Sequence, residues 1–408
     1  MNTFTEISLS PVLQTNLARH GFVQPTAVQS KTISPALTGH DIVATAQTGT
    51  GKTLAFVLPL LESLIKNPSA GVSAVILSPT RELAIQTEET FAKMAANTPF
   101  RAAVVVGGLS ESTQLRAVRK GAQVIVATPG RLCDFLKRKL VNLSSVRVLV
   151  LDEADRMLDM GFLPAIQTIT ETIPPARQTL CFSATIEASV ARVIETQVRN
   201  PVRVTIGSIT KPVDRINLHF YEVEQDRKLG LLQHMLKEEQ GSFLVFARTK
   251  HGADRLAKKL VNGSVKATRI HGDRTQSQRN QALQGFQEGH YRVMVATDVA
   301  ARGIHVEGIA HVVNYDLPQA PEDFIHRVGR TGRAGAQGTA STFGTRSERA
   351  DIRNIERKLN IQLIRREVSA EVAREPQRTT AEIVPFPKPR GTSSFQFRTK
   401  RRKVQGSR

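Results

Sequence analysis

Short runs of Val, Ile and Leu alternate with longer helical patterns along most of this chain, and midway the same alternation starts again. Runs of that kind form strands buried on both faces, and the helices between them cover the two sides of a parallel sheet. The first series predicts strands at 41–45, 73–78, 102–106, 124–127, 146–151 and 179–183. The second predicts strands at 242–247, 266–270, 293–296 and 310–314. A length of 408 residues is comfortable for two domains. The expected fold class is α/β, with two tandem parallel sheets of the open, ligand-binding type, each flanked by helices.

A boundary is expected where the strand-like segment from Val202 to Ile206 gives way to Gly207, Ser208 and Pro212. That divides the chain into units 1–207 and 208–366. Beyond Arg366 the pattern collapses into Pro, Thr, Ser and Arg, so 367–408 reads as a disordered basic tail. From Phe386 to Arg408 it carries eight Lys or Arg and no Asp or Glu. With a formal charge of +20, the chain as a whole attracts polyanions, nucleic acid before membrane. No run approaches the roughly 18 apolar residues of a membrane span, and the first ten residues lack a basic start followed by an apolar stretch, so a cytoplasmic location is expected. Cys133 and Cys181 stand far apart and outside any metal-ligand spacing, and both read as reduced structural thiols.

The first strand runs into Ala46-Gln47-Thr48-Gly49-Thr50-Gly51-Lys52-Thr53 and then an apolar-periodic helix. Strand, glycine-bearing turn and helix are the context of a phosphate loop. Glycines let backbone N–H groups converge on phosphate oxygens, Lys52 reaches the β- and γ-phosphates, and Thr53 offers a hydroxyl to Mg²⁺. The first position of the usual pattern is Ala46 rather than glycine. A nucleoside triphosphatase also needs a carboxylate near the metal and a group that orients water. The strand 146–151 ends in Asp152-Glu153-Ala154-Asp155, where Asp152 can hold the metal and Glu153 can polarise the nucleophile. Alone, those four residues are more often the start of a solvated helix, and it is their place at the end of a strand in a phosphate-loop chain that reverses the reading.

Taken together, these segments resemble the DEAD-box helicases, whose motifs appear in order from Phe4 to Arg333. The resemblance implies two RecA-like domains and an ATP-dependent RNA helicase with ATP and Mg²⁺ as cofactors. Gly21-Phe22-Val23-Gln24-Pro25-Thr26-Ala27-Val28-Gln29 resembles the Q motif, so Gln29 is implied to read adenine, with the upstream Phe4 stacking on the base. Ser183-Ala184-Thr185 matches the SAT motif, implied to couple the ATP site to RNA unwinding through hydroxyl contacts to the Asp152 to Asp155 segment, with Asp155 in the coupling set. Ala296 to Gly303 resembles motif V, which implies that Asp298 lies near the ribose and the arginine finger, with Thr297 and Gly303 near RNA. His326 to Arg333 resembles motif VI, with Arg330 and Arg333 as implied arginine fingers and His326 in the coupling set. The opening Phe4-Thr5-Glu6-Ile7 and the basic tail are similar to the bacterial RhlE-type group.

Three segments after strands of the first unit are implied to line an RNA track: Pro79-Thr80-Arg81-Glu82-Leu83, Gly107-Gly108 and Thr128-Pro129-Gly130-Arg131. Backbone amides, hydroxyls and arginines in such places hold phosphates without reading sequence. In the second unit the matching candidates are Arg248, Thr249 and Gly272, with Gln276 to Arg279 as a further matching segment. The implied partner is RNA, as single strands and short duplexes, and the RhlE-type likeness suggests ribosomal RNA or RNA-decay complexes. A clamp or annealer that does not unwind, and a translocating DNA helicase of the same superfamily, are the rival readings.

Overall fold

A computed structural model describes residues 3–46, 49–186, 188–206, 216–301, 308–332 and 337–375. The expected linker 207–212, the tail from 376 onward, Gln47, Thr48, Gly303 and Arg333 lie outside the described residues.

The first unit contains β1 (Ile42–Thr45), β2 (Ala74–Leu77), β3 (Ala102–Val105), β4 (Val124–Ala127), β5 (Val148–Asp152), β6 (Gln178–Ser183) and β7 (Val202–Thr205). They form one seven-stranded sheet in the order β3-β4-β2-β5-β6-β1-β7, with parallel pairing throughout. The second unit contains β8 (Ile216–Glu222), β9 (Phe243–Phe246), β10 (Ala267–Ile270), β11 (Val293–Ala296), β12 (His311–Asn314), β13 (Gly338–Gly344) and β14 (Ile364–Arg366). Its order, β10-β11-β9-β12-β13-β8-β14, repeats the first with every strand number raised by seven, so the two units share one topology.

Each sheet is filled from both sides, as the unbroken apolar runs predict. In the first unit Ile42, Ala44, Ile76, Val126, Val150 and Phe182 face one core, whereas Val43, Val75, Ile125, Leu149, Leu151 and Cys181 face the other. Successive side chains of a strand point to opposite faces, and that parity sorts the two cores. Cys133 and Cys181 are both free and buried, and burial pushes the Cys181 thiol up to about 12, as expected of an inert structural thiol.

All ten strands predicted from the sequence are present, the strand-like segment 202–206 forms β7, and three more escape the apolar pattern. β8 carries polar residues at alternate positions, β13 is built from Gly, Thr, Ala and Ser, and β14 is a three-residue edge. The second unit also runs past its expected end at 366. Val372 is buried in its core, Glu375 N donates to the Asp226 carbonyl at 2.7 Å, and a side chain at Gly230 would overlap the Ala373 carbonyl. Residues 367–375 therefore belong to the packed unit and not to the tail, because one apolar anchor and a pair of backbone contacts suffice to order a short polar segment.

Candidate active site

The strand order sets β1, β6 and β5 side by side, so the segments that leave their C-terminal ends converge. Those segments are the phosphate loop, Ser183-Ala184-Thr185 and Asp152 to Asp155. Ala46 N donates to the Ser183 carbonyl at 2.9 Å, and Lys52 Nζ donates to the Ala46 carbonyl at 3.0 Å. Gly49 and Gly51 have φ of +85° and +87°, a region other residues enter only at a cost. The helix Lys52–Lys66 follows at once, with Thr53 in its first turn and the uncapped N–H groups of its N-terminus available to an anion.

Gln29 lies in the first turn of the helix Ala27–Leu37. Its Oε1 accepts from Thr26 N at 2.8 Å and its Nε2 donates to the Gly51 carbonyl at 2.9 Å, which ties the Q segment to the phosphate loop. An amide has two lone pairs and two N–H groups, so half of its capacity is left for a base edge. Gly51 is doubly constrained: a Cβ there would lie 2.5 Å from Gln29 Nε2, and φ is left-handed. Gly51→Ala is expected to weaken ATP binding about tenfold or more, since strain of about 1–3 kcal/mol falls on the loop that wraps the phosphates. Titration with a fluorescent ATP analogue checks this, and unchanged affinity would contradict it.

Phe4 corrects an expectation. Its ring is only 2% exposed and belongs to the core beneath the first sheet with Ile7, Leu13 and Leu17, so no face is open for a base to stack on. The short 3-10 turn Phe4–Glu6 turns the ring inward because apolar burial dominates for an isolated Phe. Phe22, in the Q segment itself, is the aromatic left exposed.

Asp152 closes β5, and Glu153 adopts a left-handed conformation, φ +54° and ψ +56°, before the helix Ala154–Asp159. A strained non-glycine residue at a strand tip marks a position fixed by its surroundings. Burial pushes the Asp152 carboxyl up, with Lys52 opposing and Glu153 and Asp155 adding to the rise. Burial also acts on Glu153, but the charges of Arg156, Lys52, Arg330 and His326 outweigh it and hold that carboxyl below the ordinary range. Arg156 Nη1 donates to Glu153 Oε2 at 2.6 Å. Asp155 makes the bridge expected of the SAT segment: its Oδ2 accepts from Ala184 N (2.9 Å), Thr185 N (2.8 Å) and Thr185 Oγ1 (3.1 Å), and its own N donates to Ser183 Oγ at 3.2 Å.

The second unit completes this site. Arg330 and His326, from the end of the helix Pro321–Val328 and the turn after it, act electrostatically on Glu153, and Asp155 acts in turn on His326. Arg330 is buried, and its Nε donates to the His326 carbonyl at 3.2 Å. Burial pushes the His326 imidazole down, so it is neutral at pH 7 and can donate or accept a hydrogen bond. Farther along the contact, Glu82 accepts from Gln276 Nε2 and pairs with Arg279 Nη2, both at 3.0 Å, and all three residues are buried. The Glu82 contacts therefore join the two units directly, beside the electrostatic influence of Arg330 on Glu153.

Comparison with known proteins agrees with this arrangement. A family profile described as DEAD/DEAH box helicase matches residues 26–193, and one described as helicase conserved C-terminal domain matches 227–335. The chain is 40% identical over 358 residues to the DEAD-box ATP-dependent RNA helicase CshA of Bacillus cereus, covering 88% of this chain and 68% of that protein. The chain belongs to the DEAD-box helicase family. The CshA of Bacillus subtilis is 41% identical to this DEAD-box protein over 330 residues, 80% of this chain and 66% of the relative. The chain thus spans about two thirds of the length of the curated relatives it matches, from 62% to 68%. Among solved structures, Saccharomyces cerevisiae Dbp5 bound to RNA and ADP BeF3 superposes with a TM-score of 0.82 at 32% identity, over 90% of this chain and 96% of that one.

The expected RNA-facing residues of this DEAD-box protein also gather at the strand ends. The Arg81 guanidinium lies against Gly107 and Gly108, within 3.5 Å of where a Gly107 side chain would begin, and Gly108 has φ +78°. Thr128 is buried at the start of the helix Pro129–Lys137, and Gly130 faces Phe162. Arg131 is partly neutralised: its Nη1 stands 3.2 Å from Glu111, and its guanidinium lies over the Phe135 ring. In the second unit Thr249 caps the helix Lys250–Asn262, the Arg248 side chain is half exposed, and Gly272 has open space around it. Thr297 lies just beyond β11.

Asp298 pairs with Arg327, from the same segment as Arg330: its two oxygens accept from Arg327 Nε and Nη2 at 2.6 and 2.7 Å, a bidentate match that leaves a further lone pair on each oxygen. Arg327 itself is buried, bonds Asn314 Oδ1 and the Asp316 carbonyl, and lies over the Phe246 ring. The sequence by itself singles out neither Arg327 nor Arg156, Glu82 and Arg279. The only signal for Arg327, Glu82 and Arg279 is membership of a segment already credited to a neighbour, and Arg156 merely follows one.

Proposed function

We propose that this DEAD-box protein is an RNA-stimulated ATPase that couples ATP binding and hydrolysis to gripping RNA and opening short duplexes. The observation that carries it is the split site: Lys52, Asp152 and Glu153 come from one unit, while Arg330, with His326 beside it, acts electrostatically on Glu153 from the other. Neither unit alone holds the whole set. A ligand that bridges the two units favours the arrangement in which hydrolysis occurs, and RNA laid across Arg81, Gly107, Gly108 and Arg131 on one side and Arg248, Thr249 and Gly272 on the other is such a ligand.

ATP fits the cradle of Gly49, Gly51 and Lys52, with Gln29 at the adenine edge. Mg²⁺ keeps several waters and is shared between one or two protein oxygens and the phosphates. Thr53 Oγ1 and the Asp152 carboxylate are the oxygens that would hold it, and the buried Asp152 carboxyl would gain most from a nearby cation. Bound there, Mg²⁺ supplies neutralising charge to the phosphates. Glu153 orients and deprotonates the attacking water. Arg330, joined by Arg333, stabilises the charge that spreads over the transferred phosphoryl group.

The basic tail would add nonspecific affinity for RNA phosphates. No described helix is long and apolar enough to cross a membrane, and we place the protein in the cytoplasm, working on ribosomal RNA or in RNA-decay complexes. Assignment to the RhlE-type group rests on the opening segment and the tail, whereas the relatives named above carry the CshA name. The direct test is steady-state ATP hydrolysis with single-stranded RNA and with DNA of the same sequence. Stimulation of about tenfold or more by RNA and little by DNA is expected. Equal stimulation by both would favour a DNA-directed enzyme.

A further inference from the structure

Because the sheets share one strand order, β8 occupies in the second unit the place that β1 holds in the first. The helix that follows each begins with lysine: Lys52 opens Lys52–Lys66, and Lys228 opens Lys228–Glu238. What precedes them differs. The second connection, Val223-Glu224-Gln225-Asp226-Arg227, has no glycine and forms a 3-10 turn at Gln225–Arg227, so nothing there cradles a phosphate.

Lys228 is 1% exposed, and its Nζ donates to the Tyr315 carbonyl at 3.0 Å. It also stands 3.9 Å from a carboxylate oxygen of Asp316 and 3.9 Å from one of Glu348. Those two carboxylates hold one other residue. Asp316 Oδ2 accepts from the Arg248 backbone N at 2.9 Å, and Glu348 Oε1 pairs with Arg248 Nη2 at 3.3 Å. Glu348 is itself fixed by Thr345, through N at 2.9 Å and Oγ1 at 3.0 Å. Burial pushes the Lys228 ammonium down, and Glu348 and Asp316 push it back up. A buried ammonium is tolerated only with its partners in place, so the lysine and the two carboxylates keep one another oriented.

We propose that Lys228, standing where the first unit keeps its phosphate-loop lysine, is a positioning residue that holds Arg248 and the adjoining Thr249 in the orientation needed to grip RNA. The inference rests on the reading of Arg248 and Thr249 as RNA contacts. Without the buried cation, Asp316 and Glu348 lose the counter-charge they share beneath Arg248, and the orientation in which they hold it loosens. Arg248 then loses the anchors of both its backbone and its guanidinium.

The test measures RNA-stimulated ATP hydrolysis by the whole chain carrying Lys228→Met, Arg248→Ala or both. Lys228→Met should raise the RNA concentration for half-stimulation about tenfold, the effect of losing one charge-assisted contact. The rate at saturating RNA and the half-saturating ATP concentration should stay near the parental values, a split that general loosening of the fold would not give. Added to Arg248→Ala, it should produce little further rise, because both changes remove the same contact. Parental half-stimulation by Lys228→Met, or full additivity in the double variant, would overturn the proposal. Parental half-stimulation by Arg248→Ala would instead sink the RNA reading, and the proposal with it. Should Lys228→Met not fold, Glu348→Gln is read in the same assay, with the same rise expected and an unchanged value overturning the proposal.

Discussion

Glu153→Gln is expected to cut multiple-turnover ATP hydrolysis by about a hundredfold or more, the scale of a lost general base, while ATP and RNA still bind. The carboxyl is held below the ordinary range by Arg156, Lys52, Arg330 and His326 against the opposing effect of burial. Glu153 is therefore ionised at neutral pH and ready to accept a proton from water. The amide keeps the shape of the side chain and the left-handed backbone that carries it, but it cannot take the proton. It also removes a negative charge from beside Asp152, whose carboxyl is raised in part by Glu153. Asp152 should then ionise more readily, so the variant should hold its nucleotide at least as well as the parent. Single-turnover hydrolysis measured beside nucleotide affinity separates the two effects. Turnover within a few-fold of the parent would remove Glu153 from the role of base.

Arg330→Ala is expected to lower RNA-saturated turnover by about a thousandfold, the contribution typical of an arginine that meets the transferred phosphoryl group. Arg330 belongs to the second unit, yet its charge is felt at Glu153 in the first. The loss should fall on the maximal rate far more than on nucleotide affinity, because the cradle of Gly49, Gly51 and Lys52 lies wholly in the first sheet. Arg330→Lys should recover little, since an ammonium cannot reproduce the planar fork of a guanidinium. Parental turnover by Arg330→Ala at saturating RNA would place the phosphate-facing cation elsewhere.

Much of this site is legible in the sequence, because the motifs sit at strand ends and strand ends converge in a parallel sheet. Lys52, Asp152, Glu153, Asp155 and the Ser183 to Thr185 segment are brought together by the adjacency of β1, β6 and β5. The use made of each side chain is not legible there. Phe4 and an exposed stacking residue look alike as letters, and only packing shows that Phe4 is core. Asp298 and Arg327 stand 29 residues apart, and only the fold shows that this arginine of the segment binds both carboxylate oxygens. β13 escapes a reading by apolar runs because Gly, Thr, Ala and Ser form a buried strand only when neighbouring strands cover them.

In the proposed cycle ATP and RNA together draw the two units into the arrangement in which the charge of Arg330 acts on Glu153. Cys133 and Cys181 are buried, so fluorescent labels can be directed to new cysteines at the exposed positions Lys120 and Lys258, one on each unit. Energy transfer between them should take a single narrow value when a non-hydrolysable ATP analogue and single-stranded RNA are both present. With either ligand alone, or with neither, the distribution should be broad. An unchanged distribution under all four conditions would contradict the account.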